Sequence, residues 1–448
     1  MHTSPPFIRA AFLAICLLAA LPAAALAAQS APVALPAAAP TDGYSFPELD
    51  AVAATVLGTP SRLMPPLPDD VPVETRSLPA PDRYLPGIFS HQDGMRYTVA
   101  LHGHPAPLVF VIAGTGACHN SGKMLGLLRY LYASGVHVAC LSSPTCFNFI
   151  VSASRTRVPG YVPDDIEDLY AAMRAVAQDL GRDAAITGYR ITGYSLGALH
   201  AAFLARLDDE RGAFRFDRVL CINPPVSLKT SALLLDRMFL EQAPDPIAGQ
   251  AMVDRILAKA SAYYKNVDHF EADADLPYRL QAQAHLTDAE LRTIIGLSFR
   301  LSSMNMVFAS DVCTGAGYLV PRGTRLGLGD SLRPYFEAAV AVNFADYITE
   351  YLVPWLAVAH PERDGDSVMA DCSLESIADW LAHDTRVRLI HNADDIILTP
   401  ANLDFFRATF GDRATIYPRG GHCGNLFHTD TVRAITRYLG APATGGTP

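Results

Sequence analysis

Residues 193–197 read Gly193-Tyr194-Ser195-Leu196-Gly197, a serine held between two glycines. A serine hydroxyl is a weak nucleophile at neutral pH until a base takes its proton and an acid orients that base. The chemistry such a group performs is acyl transfer. Three fixed positions are a short pattern, so its neighbours decide its meaning. "YRIT" before it reads as a strand and "LGALHAAFLARLDDE" after it as a helix. That places Ser195 at a sharp strand-to-helix turn, where flanking glycines relieve the crowding of the backbone. The start of the following helix offers the Leu196 N–H and a positive dipole end to an oxyanion. A second donor is expected from the loop after the apolar run "PLVFVIAG", from Thr115, Gly116 or Ala117.

The base and its acid are sought at the ends of later strands. "PRGGHCGNLF" places His422 in a glycine-rich loop, and "HNADDIILTP" offers the adjacent carboxylates Asp394 and Asp395. Each follows a strand-like run, at the edge where open α/β sheets bind ligands. The chain order is Ser, Asp, His.

The elements that must position these residues alternate. "PLVFVIAG", "VHVACLSSP", "YRITGYS" and "RVLCINPP" are strand-like, and the stretches between them read as helices. Repeated strand–helix–strand units predict an α/β fold with a mainly parallel sheet and helices on both faces. The alternation stops near residue 226 and resumes near 385, leaving a large, mostly helical insertion expected to cap the sheet. Within it Thr287 and Glu290 fit a capping box, and "LRPYFEAAVAVNFADYITEYLVPWL" is an apolar helical stretch interrupted at Pro354. The expected organisation is a leader over 1–27, an N-terminal extension over 28–85, the first part of the core over 86–225, the cap over 226–384, the second part of the core over 385–440 and a tail over 441–448.

In the GYSLG turn, the D-x-I-I of "ADDIIL" and "GGHCG", the sequence resembles the α/β-hydrolase superfamily. The resemblance covers about 90–225 and 385–440, not the cap. It implies Ser195 as nucleophile, His422 as base and Asp394 as the acid, the aspartate two residues before the aliphatic pair. Asp395 is its rival. Leu196, Thr115 and Gly116 are then the expected oxyanion hole. The implied activity is hydrolysis of a carboxylic ester (acyl, lipid or thioester) through an acyl-enzyme, with no cofactor. A serine peptidase or amidase of the same fold is the alternative, and a silent envelope binding protein a further class. The fold would set the strands before Cys118 and Cys146 side by side, so a disulfide between them is expected, with Cys313–Cys372 a weaker second pairing.

Bulk properties bound the rest. The 448 residues are 50% hydrophobic and 18% charged, and a net charge of −10 without a basic run argues against nucleic acid as a partner. A small-molecule or lipid ester is the expected partner, with peripheral contact to a membrane left open. Arg9 and a following apolar run ending Ala25-Leu26-Ala27 read as a cleaved export leader, so a periplasmic or secreted location is expected. "GACHNSGKM" imitates a phosphate loop, but five residues separate Gly116 from Gly122 and Met124 stands where Ser or Thr is required. His422, Cys423 and His428 lack the spacing of metal ligands, so no metal is expected. His200 reads as a helix-face histidine, and His119 and Lys123 as either loop-lining or solvated.

Overall fold

The computed structural model describes residues 43–80, 83–265 and 271–441. The expected leader, and all of the expected tail but Ala441, lie outside the described residues. Eight strands form one sheet in the order β1-β2-β4-β3-β5-β6-β7-β8. They are β1 (Val73–Pro79), β2 (Gly94–Ala100), β3 (Ala106–Ile112), β4 (His137–Leu141), β5 (Ile186–Tyr194), β6 (Arg218–Ile222), β7 (Val387–Asn392) and β8 (Ala414–Tyr417). β2 runs antiparallel to β1 and β4, and every other pairing is parallel.

The helices used below are α1 (Ala51–Leu57), α2 (Gly122–Ala133), α3 (Val162–Leu180), α4 (Leu196–Arg211), α5 (Leu228–Leu240), α6 (Asp288–Thr314) and α7 (Thr429–Leu439). The central strand β3 shows why its sequence is apolar without alternation. Leu108, Phe110 and Ile112 face a core shared with α3 and α4, while Val109 and Val111 face a second core shared with α2 and α7. A strand buried on both sides has no face for polar residues. Helices therefore cover both faces of a mainly parallel sheet.

Between β6 and β7 the chain leaves the sheet for a run of helices that includes α5 and α6. Thr287 starts α6 as a capping box, its hydroxyl accepting the Glu290 N–H while the Glu290 carboxylate accepts the Thr287 N–H at 2.8 Å. The apolar stretch after residue 331 differs from expectation. It breaks ahead of Asn343, whose side chain caps a new start by accepting the Asp346 N–H at 2.8 Å. Pro354 does not end a helix. It sits in the first turn of Val353–Ala359, where its missing N–H costs little, after a π-helical turn over Tyr347–Leu352. Among the described residues no helix is long and apolar enough to cross a membrane.

Cys118 and Cys146 form a disulfide with Cα atoms 5.6 Å apart. Their loops leave the C-terminal ends of the neighbouring parallel strands β3 and β4, which brings the two cysteines together. The expected Cys313–Cys372 bridge is absent. The Cys372 sulfur is buried against the Gly160 carbonyl at 3.6 Å and accepts the Val162 N–H at 3.4 Å, and Cys313 keeps a free thiol.

Candidate active site

Ser195 occupies the one residue between β5 and α4, with φ 55° and ψ −128°. A non-glycine residue rarely adopts this left-handed geometry. The glycines on either side make it fit. A Cβ on Gly193 would lie 2.3 Å from the Gly197 carbonyl oxygen, and one on Gly197 would lie 2.2 Å from the Ile112 oxygen of β3. The Ser195 N–H donates to the Ile222 carbonyl at 2.9 Å, pinning the turn to the end of β6.

The Ser195 hydroxyl Oγ lies 2.9 Å from His422 Nε2, and His422 Nδ1 lies 3.0 Å from both carboxylate oxygens of Asp395. With Nδ1–H donated to Asp395, Nε2 is left as the acceptor facing Ser195. All three side chains are buried. Asp395 also accepts the Asn223 amide at 2.9 Å and the Ile397 N–H at 3.1 Å. Burial pushes its carboxyl up, but the charge and hydrogen bond of His422, with His391 and the Ile397 N–H, outweigh this and hold it below the usual carboxylate range. His391 stands 3.7 Å behind Asp395, and burial lowers its own pKa against the pull of that carboxylate.

The acid expected from the resemblance, Asp394, is therefore displaced by its neighbour. Asp394 points the other way and accepts the N–H groups of Gly420 at 3.2 Å and Gly421 at 2.9 Å. Both lie in the turn after β7, and the path of that turn aims only Asp395 at the imidazole. Burial raises the Asp394 pKa, against the pull of those two N–H groups.

The strand order, the strained serine turn and the Ser, Asp, His chain order at strand ends occur together in this chain. The fold is that of the α/β-hydrolases. Neither a family model nor a curated protein sequence matches the chain. Among solved structures it is similar to a proline iminopeptidase from Mycobacterium smegmatis, at 16% identity over 82% of this chain and 99% of that one, with a TM-score of 0.37. It is also similar to brefeldin A esterase, described as a bacterial homologue of human hormone-sensitive lipase, at 15% identity over 88% of each chain and a TM-score of 0.41. A thermostable esterase from Pseudomonas putida is 12% identical over 84% of each chain, again with a TM-score of 0.41. The assignment of the fold rests on the sheet and the turn themselves.

Of the three donors expected in the loop after β3 of this α/β-hydrolase fold, one is free among the described residues. The Gly116 N–H, expected in the oxyanion hole, is taken by the Thr145 hydroxyl at 2.8 Å, and the Ala117 N–H by the Gly114 carbonyl at 3.0 Å. Gly116 is thus an anchor of the loop and not a donor. The N–H groups of Thr115 and Leu196 make no hydrogen bond among the described residues, and both residues line the cavity that opens at Ser195. Thr145 is held in turn by the Ser143 hydroxyl at 2.8 Å and follows directly on Pro144, next to the disulfide.

The histidine loop is braced from a quarter that the motifs do not reveal. The His422 N–H donates to the Thr55 hydroxyl of α1 at 2.8 Å. Gly421, at φ 55°, lies so close to α1 that a Cβ would fall 2.3 Å from the Ala51 oxygen. Asn392 and Asn425 exchange amide hydrogen bonds of 2.8 and 2.7 Å, tying the end of β7 to the same loop.

Other singled-out residues stand apart from this chain of contacts. His200 is buried on α4, 3.7 Å from Asp165. His119 is buried, with its ring 2.6 Å from the Thr98 hydroxyl. Lys123 lies over the Tyr194 ring, 5.6 Å from its centroid. Among the described residues no cluster of three His, Cys, Asp or Glu side chains could hold a metal.

Proposed function

We propose that this chain is an exported serine hydrolase that cleaves a carboxylic ester with an apolar acyl group. The observation that carries this reading is the unbroken contact chain Asp395–His422–Ser195, ending on an apolar cavity. The cavity is walled by Pro225, Leu235, Phe299, Phe344, Leu352 and Ile397, among others.

Ser195 Oγ attacks the carbonyl carbon as His422 Nε2 takes its proton. Asp395 holds the imidazole in the required tautomer and stabilises the imidazolium. The negative oxygen is received by the N–H groups of Leu196 and Thr115. His422 returns the proton to the leaving oxygen, and the C–O bond breaks to leave the acyl group on Ser195. Water, deprotonated by His422, then attacks the acyl carbon and releases the acid and Ser195. Every proton is carried by His422, and no cofactor enters. Export is supported by the leader-like start of the sequence and by the disulfide, a bond of oxidising compartments.

The test is a series of 4-nitrophenyl esters of increasing chain length. Each methylene buried contributes about 0.8 kcal/mol, so kcat/KM should climb about fourfold per carbon until the cavity is full. A flat series would refute an apolar acyl site. Faster cleavage of aminoacyl amides than of any ester would move the reading to a peptidase.

A further inference from the structure

Two spaces meet at the reacting atoms. The acyl cavity lies beside Ser195, Leu196 and Thr115, whereas a larger, more open cleft is lined by Thr55, Gly122, Lys123, His422 and Phe427. Phe299 lines both and divides them. The proton that leaves with the alcohol comes from His422 Nε2, so the alcohol portion of the substrate must lie on the His422 side. The second cleft is therefore where the leaving group sits, given the hydrolase reading on which this step rests.

The charges lining that cleft are unequal. Its carboxylate, Asp273, is matched by Arg279, whose guanidinium donates to its two oxygens at 2.7 and 3.1 Å. Its ammonium, Lys123, has no carboxylate partner among the described residues. Lys123 is half-buried and stands over Tyr194, the residue before Ser195, and its charge reaches Cys423, the residue after His422. On a chain of net charge −10, a cation left unmatched this close to the reacting centre is a local exception. An anion brought near it gains attraction in a site partly shielded from water.

We propose that the substrate's leaving group carries an anion, a carboxylate or a phosphate, which Lys123 binds. The alcohol released is then an acidic metabolite-like fragment and not a neutral one, and Lys123 is a specificity-determining residue of the cleft.

The test compares three butyrate esters with one acyl group. They are 4-(butyryloxy)benzoate, 4-(butyryloxy)phenyl phosphate and the neutral methyl 4-(butyryloxy)benzoate. The methyl ester has a better leaving group than the carboxylate ester, so a preference for that anion cannot come from intrinsic reactivity. In the wild-type protein, kcat/KM for at least one anionic ester should exceed the neutral one about fivefold, the scale of a partly exposed ion pair. The more favoured anion identifies the source. The ratio should shrink as salt is raised to screen the charge. Lys123→Met should bring the ratio to about one and Lys123→Arg should preserve it, each ratio being read within one variant. A wild-type ratio that is equal for all three esters, or insensitive to salt, would overturn the proposal without any variant. A ratio unchanged in Lys123→Met would do the same. Equal ratios with turnover still lost in Ser195→Ala would overturn the anion proposal alone, whereas turnover persisting in Ser195→Ala would remove the hydrolase reading beneath it.

Discussion

The hydroxyl of Thr55 accepts the main-chain N–H of His422 at 2.8 Å while donating its own proton to the Ala51 carbonyl at 2.7 Å. A residue of the first described helix thereby fixes the height of the imidazole that faces Ser195. Thr55→Val keeps the shape of the side chain and removes the acceptor, leaving a buried N–H without a partner. The cost of such a group is about 1–3 kcal/mol, part of it felt as a displaced imidazole. We expect kcat to fall roughly three- to tenfold, with KM little changed, and Thr55→Ser to restore it. Steady-state kinetics of both variants check this. A Thr55→Val protein with wild-type kcat would reduce Thr55 to a packing residue.

Asp395 and Asp394 are adjacent yet make opposite connections. Asp395→Asn should lower kcat by about 10²- to 10⁴-fold, because an amide cannot hold the same imidazole tautomer. Asp394→Asn should stay within about threefold, since the amide oxygen still accepts one of the two glycine N–H bonds. Kinetics of the pair, each checked for folding by circular dichroism, decide between them. The reverse ranking would return the acid role to Asp394.

The contrast between these two residues also shows what a sequence discloses. Apolar runs such as "PLVFVIAG" announce buried strands, and the glycines around Ser195 announce a strained turn, because these are local demands on the backbone. The Cys118–Cys146 bond was legible for a related reason, since β3 and β4 must be neighbours once the sheet is parallel. The choice between Asp394 and Asp395 depends on how the chain turns after β7, and the aliphatic spacing does not encode that. Thr145 capturing the Gly116 N–H, and Thr55 capturing that of His422, join residues 29 and 367 positions apart in the chain. No local pattern marks such pairs. Asn223 is the exception that could have been read, being a polar residue at the end of a buried strand, where a carboxylate partner is the economical way to satisfy it.

The disulfide closes a loop of 28 residues that carries the Thr145 anchor of the oxyanion loop. A cross-link of that span stabilises by roughly 3–4 kcal/mol through the unfolded state. The double variant Cys118→Ser, Cys146→Ser should lose about that much in urea unfolding, and its kcat should fall as the Thr115 N–H loses its fixed position. Unchanged stability and unchanged kcat together would separate the bond from both roles.

Acid should weaken the fold through His119. Burial, helped by Arg96, lowers its pKa to about 4. Between that value and the unfolded one of about 6.5, the unfolded chain binds a proton that the folded chain does not. Stability therefore rises with pH through this window and is lost on acidification, by roughly 2 kcal/mol between pH 6.5 and pH 5. Urea midpoints at pH 7 and pH 5 should show the loss, and His119→Gln should reduce it, the rest falling to other buried histidines such as His391. A wild-type protein equally stable at both values would contradict the prediction.

Turnover through an acyl-enzyme requires Ser195 to become covalently modified with His422 as its base. The most direct measurement is mass spectrometry of the protein after incubation with a fluorophosphonate, followed by peptide mapping. One adduct per chain is expected, on the peptide containing Ser195, absent in Ser195→Ala and strongly slowed in His422→Ala. An unmodified wild-type protein, or an adduct that maps elsewhere and persists in Ser195→Ala, would contradict it.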